Sequence, residues 1–139
     1  MNRPRLLFLS AVMVGGVLAL AGCAPGGSPF TDMQGEREAH DELPTLPDYV
    51  HEDFHADTSR YVGEHNGASL WLVEGSDPQA PTCLIVYPDP YTWHVACGSS
   101  GGLGASGAAG SFEVVPDNAA APENGTKISE NVYSVPARD

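Results

Sequence analysis

Positive charge is scarce in this chain. Six Lys and Arg residues stand against eighteen Asp and Glu, for a formal net charge of −12 at pH 7. So acidic a chain repels phosphate backbones, which excludes nucleic acid as a partner. Cysteine is sparse as well, with three in 139 residues. After residue 23 a long helical pattern is missing: most of the chain's twelve prolines and sixteen glycines fall there, and the apolar runs are short. The length allows one domain at most, plus a linking segment.

What is there begins with the first 23 residues. Arg3 and Arg5 supply a positive start, Leu6 to Ala21 carries no charge, and Leu20-Ala21-Gly22-Cys23 closes the run. A positive start, an apolar middle and small residues before a cut site are the parts of a signal peptide. The physical alternative is an uncleaved anchor, because the apolar stretch approaches the spanning limit of about 17 residues. Gly15-Gly16 weakens a helix there, and no basic cluster follows Cys23.

The run resembles a bacterial lipoprotein signal peptide, with Leu20-Ala21-Gly22-Cys23 as its lipobox. That resemblance implies cleavage before Cys23 and a diacylglyceryl thioether on its sulfur. It also implies acylation by palmitate-type chains and a place on the extracytoplasmic face of the cell membrane. Two acyl chains on one cysteine suffice for a stable anchor. Loss of residues 1–22 leaves 117 residues with four basic and eighteen acidic side chains, a net charge of −14. Anionic headgroups repel such a surface, so the lipid does the anchoring. With Cys23 consumed, Cys83 and Cys97 remain as a pair in an oxidising compartment, and a disulfide between them is the expectation.

In chain order, residues 24–31 are a Gly/Pro/Ser linker, and residues 32–57 hold nine acidic residues against one Arg. Thr31 or Asp32 can cap a short helix reaching about Asp41, ended by Leu43-Pro44. The charge otherwise predicts that residues 23–58 form a disordered, self-repelling acidic tether. The folded domain is then residues 59–139.

Within that domain Asn66-Gly67 sits between apolar runs and predicts a type I′ hairpin, since both turn positions need φ > 0. Val62 is expected opposite Trp71, and Tyr61 opposite Leu72. Leu70 to Val73 is apolar on both faces, the mark of a central, covered strand. Thr82 to Tyr87 and Thr92 to Cys97 form the next pair. Setting Cys83 opposite Cys97 puts Ile85 against Val95 and Tyr87 against Trp93, with residues 88–92 as a loop. A one-residue slip scrambles that apolar face, and directly opposed residues lie within disulfide reach. Residues 98–110, with six glycines, are expected to be a flexible excursion. Ser111–Val115 and Val132–Val135 complete about six short strands, and Pro116–Lys127 is a loop. The fold class is therefore mainly β, a small antiparallel domain with one disulfide. Some 80 residues give a thin core, so a bridge adding about 3 kcal/mol is a large share of the stability.

Three motif matches carry little chemistry. His51-Glu52-Asp53-Phe54-His55 fits H-E-x-x-H, but that zinc site needs both His on one helix. Prolines precede it closely and no strong helix follows, so His51 and His55 are weak metal candidates at most. Gly102 to Gly107 fits G-x-G-x-x-G without the following helix a dinucleotide requires. Gly98-Ser99-Ser100-Gly101-Gly102 fits G-x-S-x-G, yet every histidine lies upstream of Ser100, the wrong order for that elbow. His65, flanking the hairpin turn, is expected to be exposed, and His94 to be at the surface or hydrogen-bonded in the core. Tyr87, Tyr91 and Trp93 can form an aromatic shelf, although Tyr87 and Trp93 are expected to be core. Asn124-Gly125-Thr126 is a glycosylation sequon by letters only.

Ser59 to Glu64, Cys83 to Val86, Cys97-Gly98 and Ser129 to Tyr133 are similar to small lipoproteins of high-GC Gram-positive bacteria, a group with no assigned activity. The expectation is a non-enzymatic, lipid-anchored module that binds or supports a component of the cell envelope, an envelope protein or a small ligand, with no catalytic set and no cofactor. The alternative is a small-ligand or metal-binding lipoprotein, with a zinc or serine hydrolase further behind.

Overall fold

The computed structural model describes residues 27–137. Leu20-Ala21-Gly22-Cys23 and the rest of the leader lie outside them. Eight strands build two four-stranded antiparallel sheets, so the chain is mainly β. The first sheet holds β1 (Phe54–His65), β2 (Ala68–Gly75), β3 (Thr82–Tyr87) and β4 (His94–Gly98), in that order. The second holds β5 (Leu103–Gly107), β6 (Gly110–Val114), β7 (Thr126–Lys127) and β8 (Val132–Val135), in the order β5-β6-β8-β7.

Alternation along the strands decides the layers. Leu70, Leu72, Leu84 and Val86 face inward and pack with Ala105, Phe112, Val114 and Val132 of the second sheet. The intervening residues Trp71, Val73, Cys83 and Ile85 are apolar too, so the opposite face of the first sheet also needs a cover. Leu46 and Val50, from the segment before β1, and Phe54 at the start of β1 provide it. The two central strands are thus buried on both faces, and the sandwich carries a third, partial layer.

The two sheets share their ends. At one end, here the tip, Asn66 Nδ2 donates to the Ala109 carbonyl at 3.1 Å, joining the β1–β2 and β5–β6 turns. At the other end, the base, β4 finishes at Gly98 beside Leu103, and Leu103 pairs with Val114. The loop between β3 and β4 belongs to the tip; Pro116 and Asp117, after β6, belong to the base.

The hairpin forms as the Asn-Gly signal requires, with φ of 50° at Asn66 and 77° at Gly67. Its register differs by one residue from the simple expectation. Tyr61 pairs with Trp71 and Arg60 with Leu72, because a bulge absorbs Val62 between Tyr61 and Gly63. The bulge keeps Tyr61 on the outer face while Val62 joins the core. The β3–β4 register agrees with the sequence: Cys83 opposes Cys97, Ile85 opposes Val95, and the two cysteines form a disulfide. The ladder stops at Val86 and His94, so Tyr87 and Trp93 are not a strand pair. Both still pack on the outer cluster.

Three expectations are corrected. The glycine-rich excursion contains β5, because Ala105 reaches the core and small neighbours let the strand lie close to β6. With the two-residue β7 this raises the strand count from six to eight. The helix near residues 32–41 is replaced by separate 3₁₀ turns at Thr31–Met33 and Ala39–Asp41, with a third at Asp48–Glu52. Most consequentially, the described part of the expected tether is folded. β1 begins at Phe54 rather than near Ser59, and Phe30 is 0% exposed in the inner core. The acidic side chains there stay at the surface apart from Asp32 and Asp41. Charge density therefore reported solvation of one side of a strap, while its spaced apolar residues drove the other side inward.

Candidate functional site

The strap is held by two buried polar knots. At the base, Pro29 accepts the Asp117 amide at 2.8 Å, and Asp117 Oδ1 accepts the Thr31 amide at 2.9 Å. Asp32 Oδ2 accepts the Asn131 amide at 2.8 Å and the Ser129 hydroxyl at 2.6 Å, while Asn131 Oδ1 accepts the Asp32 amide at 2.9 Å. The side-chain hydrogen bond from Asn131 and the amide of Thr31 hold the Asp117 carboxyl below the usual range.

The second knot is Asp41, 4% exposed beside β1. Its Oδ1 accepts the Tyr61 amide at 2.7 Å and its Oδ2 the Glu38 amide at 2.8 Å. Burial pushes this carboxyl up, but those amides, with His40 and Arg60 nearby, outweigh it, and its pKa lies below the usual range. Ser59 donates to the Asp41 carbonyl at 2.6 Å and accepts from Arg37 at 3.0 Å. These bonds pin the strap to the backbone of β1 at Ser59 and Tyr61.

Beside that attachment the outer face is aromatic. Tyr61 stands edge-on to Trp71, with ring centroids 5.4 Å apart, and Trp71 to Tyr87 at 6.5 Å. His40 extends the row onto the strap, 6.1 Å from Tyr61. Trp93 packs beside the row. Trp71 is only 8% exposed, and its indole N–H is buried with no hydrogen-bond partner. Tyr61, Tyr87 and Trp93 remain half-buried, and Tyr91, in the loop between β3 and β4, is 94% exposed. Asp89 holds that loop by accepting the amides of Tyr91 and Thr92 and the Thr92 hydroxyl. Trp71 is thus buried at the centre of the row, while the Tyr91 ring of the loop after β3 stands almost wholly in solvent. Flat, partly exposed aromatic rings on a rigid sheet offer large contact area at low entropic cost.

The remaining candidates are scattered. His51 sits in the 3₁₀ turn and His55 on β1, both exposed, so one helical face never presents them together. Among the described residues no group of three or more His, Cys, Asp or Glu is arranged to hold a metal ion. His51 borders a cleft of ≈ 380 Å³ between the strap and β1, with Arg37, Glu42, Asp48 and Asp57 around it. Ser99 and Gly102 bridge across the β4–β5 hairpin, so Ser100 occupies a tight turn, and Leu103–Gly107 is strand. Neither glycine motif opens a helix. His65 packs edge-on to Phe112 at 5.7 Å. His94 is half-buried at the corner where β4 meets β5, with its Nε2 buried and unpartnered. Cys23 lies outside the described residues, and among these no helix is long and apolar enough to cross a membrane.

Sequence reasoning missed the residues that fix the strap, Phe30, Asp32 and Asp41. A lone Phe between proline and threonine was the available signal for the first; the acids gave none, since their neighbours are also acidic. Compared with protein-family models, with curated proteins and with solved structures, the chain matches none.

Proposed function

We propose that this chain is a lipid-anchored extracytoplasmic module, non-enzymatic, whose aromatic face binds an envelope protein. Acylation of Cys23 attaches it to the cell membrane. The disulfide-braced sandwich then serves as a rigid platform. The observation that carries the binding role is the aromatic row: Tyr61, Tyr87 and Trp93 stay only half-buried around Trp71, and the Tyr91 ring of the loop after β3 stands in solvent. A chain that needed only stability would bury such rings. The acidic surface favours a neutral or basic partner, because like charge across an interface costs several kcal/mol.

The test places a photo-crosslinking residue at Tyr91 and, as a control on another surface, at Glu123, in protein expressed in its own cells. Adducts specific to position 91 are expected. The same adducts from both positions, or none from position 91, would sink the binding role. The intact mass of protein purified from membranes reports acylation and the disulfide in the same sample.

A further inference from the structure

We infer that the anchored domain is held with its base against the bilayer, on a leash too short to let it roam. This rests on the acylation of Cys23 proposed above. Phe30 is fully buried between the sheets, and Pro29 is bonded to Asp117. Asp32 and Asn131 lock the following turn. The chain therefore cannot pay out from its N-terminal side without extracting a core phenylalanine. Only Ala24 to Ser28 separate Cys23 from Pro29. Whatever path those residues take, six residue steps span at most about 22 Å.

Direction follows from topology. Pro29 is fixed at Asp117, directly after β6, at the base. The Tyr91 loop precedes β4 at the tip, and β4 alone separates the two ends by about 13 Å. A domain of this size has a radius of gyration near 13 Å. Twice that radius is about 26 Å, more than the leash can span, so the base cannot be the end farthest from the membrane. The aromatic face is kept within a limited height, which selects a partner seated in or on the same membrane. A long acidic tether would instead sweep a large volume and reach partners far from the bilayer.

The experiment uses full-length acylated protein in vesicles of neutral phospholipid with a fraction of quencher-headed lipid. A fluorescent amino acid replaces Ala120, an exposed residue three positions after Asp117 of the base, or Tyr91 at the tip. Stronger quenching at position 120 than at 91 is expected. An insertion of about twenty Gly/Ser residues before Gly27 adds roughly 25 Å of reach and should abolish most of the difference. Equal quenching at both positions, or no effect of the insertion, overturns the apposition in protein whose mass shows the diacylglyceryl group. A mass lacking that group overturns the anchor first and the apposition with it.

Discussion

Cys83 and Cys97 face each other directly across the β3–β4 ladder, with Cα atoms 3.9 Å apart, yet only Cys83 is buried. The two sulfurs therefore contribute unequally. Opening a loop with a sequence separation of 14 removes about 3 kcal/mol by chain entropy. Cys97→Ser places its hydroxyl in solvent and loses that amount. Cys83→Ser also buries a hydroxyl among Trp71, Val73 and Ile85, which adds about 1–3 kcal/mol. Urea unfolding of the two variants checks the ordering, and equal losses would contradict it.

Phe30 decides whether the N-terminal segment is strap or tether. Truncating a fully buried phenylalanine costs about 3–5 kcal/mol, so Phe30→Ala should lower the unfolding free energy by that much. Truncating a side chain in a solvated tether changes stability by less than about 0.5 kcal/mol. Urea titration separates these outcomes without ambiguity.

Much of the sheet was legible because its determinants are local. Asn66-Gly67 dictates its own turn, and the Cys83–Cys97 register is the one that keeps Ile85 against Val95. The unbroken apolar run Leu70 to Val73 announces burial on both faces. Illegible parts depend on partners distant in sequence. Ala105 makes β5 a strand only because Phe112 stands opposite, and glycine-rich composition hides that. Phe30, Asp32 and Asp41 look like a solvated acidic run until Asn131 and the Tyr61 amide meet them. The aromatic face was half visible: Tyr87, Tyr91 and Trp93 cluster in sequence, but Tyr61 joins the row through a bulge that no pattern encodes.

Acid should loosen the strap. Asp41 and Asp117 both have carboxyls held below the usual range in the folded protein. Unfolding lets them bind protons more readily, so stability rises with pH through their titration. Their contribution is complete above the unfolded value near 3.9 and is lost as pH falls through the lower folded values. Unfolding free energy should thus drop steeply below about pH 4. Asp41→Asn should flatten that acid limb, and an unchanged slope in urea titrations across pH would argue against the knot.

The corner between the sheets is packed to its limit at Gly107. A Cβ there would lie 2.5 Å from Cε1 of His94 and 3.0 Å from its Nδ1. Gly107→Ala should therefore cost about 1–3 kcal/mol by overpacking. His94→Ala removes the obstruction, so the double variant should recover part of that loss. A coupling energy near zero in the double-mutant cycle would show that the imidazole yields freely.

Tyr91, in the loop after β3, and Trp71, at the centre of the aromatic row, should answer to different measurements. Tyr91 is almost wholly in solvent, so Tyr91→Ala should shift stability by less than about 0.5 kcal/mol. If the open face is the contact surface, the same change should weaken partner capture, since exposed aromatic residues are frequent hot spots. Trp71→Ala should instead cost about 3–5 kcal/mol of stability, because that ring fills the layer between Tyr61 and Tyr87. Capture assayed on protein that still melts like the parent separates recognition from folding. Parental capture by Tyr91→Ala would move the binding surface elsewhere on the sandwich.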